Sequence, residues 1–200
     1  MKILIKIYKK KNNNKNHNKC LNKIASSIIL LLLIFDVLIY FTYDYLRIKR
    51  VKIYNKNGSI KYEGYMQKGL YHGKGSEYNE NEILIFEGYF IEGKRNEIGK
   101  ENYDNGTIKY YGNFINGTYN GKGKLYDGKE RIIYDGEWLN GEKNNFGTEY
   151  NENKIIIFEG FFKEGKRNGI GKENYDNGTI KYYGNFINGN YSGEGKLYIY

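Results

Sequence analysis

Two hundred residues suffice for one domain of ordinary size, and 26 Gly, 23 Tyr and no Pro set its character. The net charge of +9 lies wholly in residues 1–50, where eleven basic side chains face Asp36 and Asp44, while residues 51–200 carry equal numbers of basic and acidic groups. A nucleic-acid-binding domain would place its basic excess on the folded part, so this distribution speaks against one, and the lone Cys20 excludes an intrachain disulfide.

In chain order, residues 1–23 form a basic tail rich in Lys and Asn. Residues 24–43, IASSIILLLLIFDVLIYFTY, carry one charge, Asp36. A helix of this length, rising about 1.5 Å per residue, spans roughly the 30 Å hydrocarbon core of a bilayer. Thirteen strongly apolar residues, each contributing about −0.3 to −0.6 kcal/mol, outweigh a central Asp at about +2.5 to +3.5. A cleaved signal peptide needs small residues after the apolar run, but Ala25, Ser26 and Ser27 precede it. The segment is therefore expected to be an uncleaved signal anchor, making the chain a single-pass membrane protein. Seven lysines on its amino side against six basic residues on its carboxyl side lean toward a cytoplasmic amino terminus and exported repeats. Asp36 reads either as a functional intramembrane acid or as a tolerated one, and Cys20 either as an acylation site or as incidental.

Residues 44–57 read as a juxtamembrane linker and first strand, and residues 58–200 as about six repeats of equal length. An aromatic, one residue and a glycine recur at Gly64, Gly88, Gly112, Gly136, Gly160 and Gly184. A second glycine follows five residues later, at Gly69, Gly93, Gly117, Gly141, Gly165 and Gly189. A third lies eleven residues after the first, at Gly75, Gly99, Gly123, Gly147, Gly171 and Gly195. Self-similarity at such a period marks a stacked architecture. In TIKYYGNFI, Ile108, Tyr110, Gly112 and Phe114 alternate with Lys109, Tyr111 and Asn113, so each unit starts with a strand that has one apolar face. Type I′ hairpin turns are expected at Asn57-Gly58, Asn105-Gly106 and Asn177-Gly178. The glycine within each aromatic column leaves a bare Cα, a slot into which an aromatic ring of a neighbouring strand can lie. The step from third glycine to next Tyr is one residue longer at Tyr103 and Tyr175 than at Tyr78, Tyr126, Tyr150 and Tyr198, which predicts a bulge or shifted turn there.

The pattern Tyr-x-Gly-x-x-x-x-Gly-x-x-x-Gly-x-Gly, complete in YEGYMQKGLYHGKG (Tyr62 to Gly75), resembles the MORN repeat. Glu97 and Asn145 depart from it at the penultimate glycine, and the Asn-Gly hairpins resemble the bacterial antitoxin-like MORN variant. The resemblance implies an all-β repeat fold: an elongated single-layer antiparallel meander of hairpins, preceded here by one transmembrane helix. The stretch GKENYDNGTIKYYGNFING occurs twice, from Gly99 to Gly117 and again from Gly171 to Gly189, as a duplicated block of three repeats would leave it.

Chemistry is sparse. His72 is the only histidine beyond residue 50, so neither a zinc cluster nor a nucleophile–base pair has candidates. Glycine pairs such as Gly73-x-Gly75 recur with the fold and lack the strand and helix of a nucleotide loop. No catalytic, cofactor-binding or metal-binding residues are expected. The expected function is a non-enzymatic protein-binding scaffold at a membrane surface. Alternatives are a lipid-contacting module or an antitoxin-like neutralising protein. The candidate interaction residues are the aromatics opposite the main column, Tyr65, Tyr89, Tyr111, Phe161 and Tyr183, and the basic pairs Lys94-Arg95 and Lys166-Arg167, open to a lipid headgroup.

Overall fold

A computed structural model describes residues 26–43 and 45–199 and divides the chain into two units, up to Arg47 and from Ile48. The basic tail of residues 1–23, with Cys20, lies outside the described residues. In the first unit, helix α1 (Ser26–Tyr43) is long and apolar enough to cross a membrane, a test that a signal sequence also passes. None of its side chains is buried.

The second unit is one antiparallel sheet of thirteen described strands, paired in chain order. β1 (Lys49–Tyr54) comes first. Six hairpins follow: β2 (Ile60–Gln67) with β3 (Leu70–Tyr78), β4 (Leu84–Ile91) with β5 (Lys94–Asn102), β6 (Ile108–Ile115) with β7 (Thr118–Tyr126). The last three are β8 (Ile132–Leu139) with β9 (Glu142–Tyr150), β10 (Ile156–Lys163) with β11 (Lys166–Asn174), and β12 (Ile180–Ile187) with β13 (Asn190–Leu197). The expected single-layer meander is thus present.

Its register is set by glycine. Gly64 pairs with Gly75, Gly75 with Gly88, Gly88 with Gly99, and the row continues through Gly112, Gly123, Gly136, Gly147, Gly160, Gly171 and Gly184 to Gly195. On one face this row is covered by rings. Tyr62, Phe86, Tyr110, Tyr134 and Phe158 are completely buried, although among the described residues no second layer lies over them. A Cβ at Gly64 would stand 2.5 Å from both the Tyr62 hydroxyl and the Gly75 Cα, and one at Gly99 2.5 Å from the Phe86 Cζ. One ring fills both slots of a hairpin: Tyr62 lies over Gly64, two residues on along its own strand, and over Gly75 on the neighbouring strand, as Phe86 does over Gly88 and Gly99. The next hairpin supplies the edge contact: a Cβ at Gly99 would also meet Phe114 at 3.3 Å.

Edge-to-face contacts then join the hairpins. Tyr62 meets Phe90 at 5.5 Å, Phe86 meets Phe114 at 5.2 Å, and Tyr110 meets Trp138 at 5.6 Å. Tyr134 meets Phe162 at 5.4 Å and Phe158 meets Phe186 at 5.1 Å. Each such contact contributes about 0.5–1.5 kcal/mol beyond burial. Buried hydroxyls find partners: Tyr62 donates to the Tyr65 carbonyl at 2.8 Å and Tyr110 to that of Asn113 at 3.1 Å.

The turns correct two expectations. The two-residue turns with both central residues at positive φ are Lys68-Gly69, Glu92-Gly93, Asn116-Gly117, Asn140-Gly141, Glu164-Gly165 and Asn188-Gly189. These are the type I′ sites. At Asn57-Gly58 only Gly58 has positive φ, and its N–H donates to the Asn55 carbonyl at 3.0 Å. Gly106 and Gly178 do the same to Tyr103 and Tyr175, so these Asn-Gly pairs close longer loops. Nor is there an extra bulge at Tyr103 and Tyr175. The same loop recurs in the intervening repeats, with Glu82, Glu130 and Lys154 in the place of the glycine. Each strand-end irregularity there, at Asn102 and Asn174, has its counterpart at Tyr78 and Tyr126. Tyr103 and Tyr175 have taken the loop's first position, held by Asn79, Asp127 and Asn151 elsewhere, and their hydroxyls donate to the carbonyls of Tyr126 and Tyr198 at 2.9 Å.

Within each hairpin the second strand carries two extra residues before the glycine pair: Met66 pairs with Tyr71 while Gly64 pairs with Gly75. One residue there is left-handed: Gly73, Glu97, Gly121, Asn145, Gly169 or Gly193. A glutamate at φ +54 is strained where Gly169, its counterpart one block later, is not. Glu97→Gly should therefore raise stability by about 1 kcal/mol. Gly99→Ala, pressing a methyl onto Phe86, should lower it by about 1–3 kcal/mol. Urea unfolding of the full chain in detergent, followed by circular dichroism, checks both signs.

Candidate functional site

The two faces of the sheet differ in what they leave exposed. On the ring face, every column ring carries a lid from the second strand, at the same position in each repeat. Tyr71, Tyr119 and Tyr191 stack on Tyr62, Tyr110 and Tyr182 at 3.7, 3.7 and 3.9 Å. Arg95, Lys143 and Arg167 place their charges over Phe86, Tyr134 and Phe158 at 4.5, 4.8 and 4.3 Å. Tyrosine and cation are interchangeable here because both offer an apolar body to the ring and a polar tip to the rim.

The cationic lids are tied to glutamates. Arg95 donates to Glu77 at 2.8 Å and to Glu101 at 3.1 Å, and Tyr119 donates to Glu101 at 2.5 Å. Glu149 accepts from Lys143 at 2.5 Å and from Arg167 at 2.8 Å, and Arg167 reaches on to Glu173 at 3.1 Å. Glu173 also accepts from Tyr191. Burial acts to raise the Glu149 carboxyl, but the hydrogen bonds and charges of Lys143 and Arg167 outweigh it and hold it below its usual 4.5. Glu173 is likewise depressed: burial opposes, and the Tyr191 hydroxyl with Arg167 and Lys181 prevails. Burial, helped by Tyr71 and Glu77, pushes the Tyr62 phenol up to about 12, and burial also raises Tyr110 and Tyr134. These hydroxyls are protonated donors at neutral pH.

The sequence-predicted residues divide between the faces. Arg95 and Arg167 belong to the ring face, each held between two carboxylates with its side chain about one-fifth exposed. Lys94 and Lys166 are exposed at the type I′ turns. Tyr65, Tyr89, Tyr111, Phe161 and Tyr183 all flank the glycine row on the opposite, open face. Three of them, Tyr65, Tyr89 and Tyr111, line one groove of about 700 Å³ together with Lys74, Lys100 and Ile98. Phe161 and Tyr183 lie farther along the same face. The first-strand alternation missed Ile98, Phe146 and Ile170, which also point there. Phe146 pairs with Phe161 across the strands, with their rings 5.6 Å apart edge to face, and both are nearly half exposed. Second strands alternate glycine with charge, so no apolar period reveals their faces. Pairing to the glycine row does.

Among the described residues no three His, Cys, Asp or Glu side chains gather as metal ligands. The open face offers half-exposed aromatics in a shallow groove, an arrangement suited to holding another surface.

The model of the family described as MORN repeat matches six stretches: residues 62–81, 86–108, 110–129, 134–154, 158–180 and 182–199. None of the curated proteins matches the chain. The chain belongs to the MORN-repeat family.

The ion-pair chain of the ring face gives this array a pH dependence of defined sign. Carboxyls with depressed folded-state pKa values stabilise fully above their unfolded value and lose that contribution as pH falls through the folded one. The urea midpoint should therefore decline as pH drops below about 4.5. Glu149→Gln should lower stability at pH 7 by about 1–3 kcal/mol and flatten the acid decline. Urea titrations between neutral and acid pH check both effects.

Proposed function

We propose that this chain is a non-enzymatic, single-pass membrane protein whose MORN sheet binds a protein partner through its open face. The observation that carries the reading is the contrast between faces. The ring face satisfies itself with lids and ion pairs, while the open face keeps Tyr65, Tyr111, Phe146, Phe161 and Tyr183 between two-fifths and just over half exposed. Clustered exposed aromatics are the residues that supply binding energy at protein interfaces. The helix Ser26–Tyr43 supports anchoring by its length and apolar composition, and the charge count on its flanks favours a cytoplasmic amino terminus with the repeats exported. A lipid-headgroup role would rest on the Lys94-Arg95 and Lys166-Arg167 pairs, but both arginines are already engaged by glutamates, which weighs toward protein.

Photo-crosslinking residues placed at Tyr111 or Tyr183 of the full chain, in its native membrane, should trap a defined protein. The same residue at Lys94, on the turn edge, should not. Tyr111→Ser should reduce the yield at Tyr183 at least tenfold. Equal trapping from all three positions, or none from the open face, refutes the reading. A reporter fused after Tyr200 reads the compartment of the repeats.

A further inference from the structure

We infer that the second half of the open face takes a polypeptide segment in which a carboxylate lies beside a bulky apolar side chain; this rests on the protein-binding reading above. The duplicated block supplies a control within the chain. Where the first copy has Tyr89 and Ile91 on β4, the second has Phe161 and Lys163 on β10, and on the strand before, Lys74 is matched by Phe146. These exchanges sort the face. Phe146 pairs with Phe161, and a Cβ at Gly169 would stand 3.2 Å from the Phe161 Cβ, so the glycine lets β11 close up on that side chain. Ile170 follows it. The three apolar side chains are 44–54% exposed. Lys163 lies two residues beyond Phe161, about 6.8 Å along the strand. It faces the same way, since Phe162 between them is buried on the ring face.

Lys163 is the direct cross-strand partner of Lys166, and both are exposed. Like charges placed opposite one another destabilise a hairpin. The other hairpins put at most one cation at this pair of positions, as Ile91 with Lys94 and Leu139 with Glu142 show. Among the described residues neither Lys163 nor Lys166 has a carboxylate within 4.0 Å. Glu164 in the turn between them and Glu142 on the preceding hairpin form no ion pair with either. Glu149 and Glu173 are taken up on the ring face by Arg167, and Glu159 is held by Lys172 at 3.4 Å. A pair that costs stability and has no counter-charge within the sheet is explained by an anion brought from outside.

The surroundings say what kind of anion fits. Glu137, Glu159 and Glu194 adjoin the glycine row on this same face. An anionic bilayer or a nucleic-acid strand laid across the patch would meet these acids. A short segment avoids them: its carboxylate reaches the lysines at the turn edge while its apolar side chain settles on Phe146, Phe161 and Ile170. Those three then lose their exposure to water, which is the favourable part of the contact, and the ion pair fixes its direction.

The test pans phage-displayed random dodecapeptides against the full chain in detergent. Selected sequences should carry Asp or Glu within two positions of Phe, Trp, Leu or Ile. As free fluorescein-labelled peptides they should bind less tightly as salt rises. Lys163→Glu combined with Lys166→Glu should weaken them at least tenfold and Phe146→Ser at least fivefold, whereas Lys94→Glu, at the matching site of the first copy, should not. Unaltered circular dichroism shows that each variant is folded. Lys163→Ile separates ligand from fold: the urea midpoint should rise while peptide binding falls at least fivefold. Selected sequences without acids, binders indifferent to the charge reversal, or a Lys163→Ile variant with a lowered midpoint or unchanged binding overturns the inference. So does a water-soluble short-chain phosphatidylserine that binds more tightly than any peptide. If crosslinks from Tyr111 or Tyr183 trap a protein but panning returns no such peptide, this inference falls and the protein-binding reading stands. If neither occurs, both fall.

Discussion

The fold depends on an aromatic ring lying flat on a pair of facing glycines. A single-layer sheet has no second layer to exclude water from its side chains. It can bury a ring only by bringing the ring down onto its own backbone and closing the other side with a lid. The bare Cα atoms of Gly64 and Gly75 admit the Tyr62 ring on the sheet side, and Tyr71 covers it from above. The ring edges are then free to meet the next hairpin, as Tyr62 meets Phe90. Local vacancy and lateral contact are thus one device. Because each contact is between nearest neighbours, stability should spread along the array as in other stacked repeats.

Sequence reasoning reaches the period, the first-strand faces and the glycine register because each rests on a side chain that must be present or absent. Gly64 and Gly88 can be read as vacancies directly. What it mistakes are choices between two sites bearing the same signal. Asn-Gly occurs at Asn105-Gly106 and at Asn116-Gly117, and only the pairing of Ile115 with Thr118 shows which is the two-residue turn. Tyr103 resembles a shifted strand residue because tyrosine also ends the strands at Tyr78 and Tyr126. Its role has changed while the backbone phase has not.

The open face is legible only in part for a related reason. Tyr65, Tyr111 and Tyr183 lie on first strands, whose apolar alternation shows their side of the sheet. Phe146 and Ile170 lie on second strands, where Lys143, Asn145, Gly147 and Glu149 supply no apolar stripe. Charge is harder still. Arg95 and Lys94 are adjacent, and composition treats them alike. One is drawn between Glu77 and Glu101 over a ring, and the other stays at the turn.

The duplicated block shows how far the ring device constrains the chain. Between residues 85–126 and 157–198 there are six differences: Tyr89/Phe161, Ile91/Lys163, Glu97/Gly169, Thr118/Asn190, Asn120/Ser192 and Lys122/Glu194. None is a column ring, a lid, an ion-paired glutamate or a glycine of the row. A ring cannot change without its vacancy, its lid and the neighbour's edge, so single substitutions there break several contacts at once. Tyr89 and Lys122 face the other way, where a side chain touches little that holds the sheet. Divergence on that side leaves the array intact and alters only what can lie against it. One face of this sheet therefore specifies the fold, and the other is available to acquire a function.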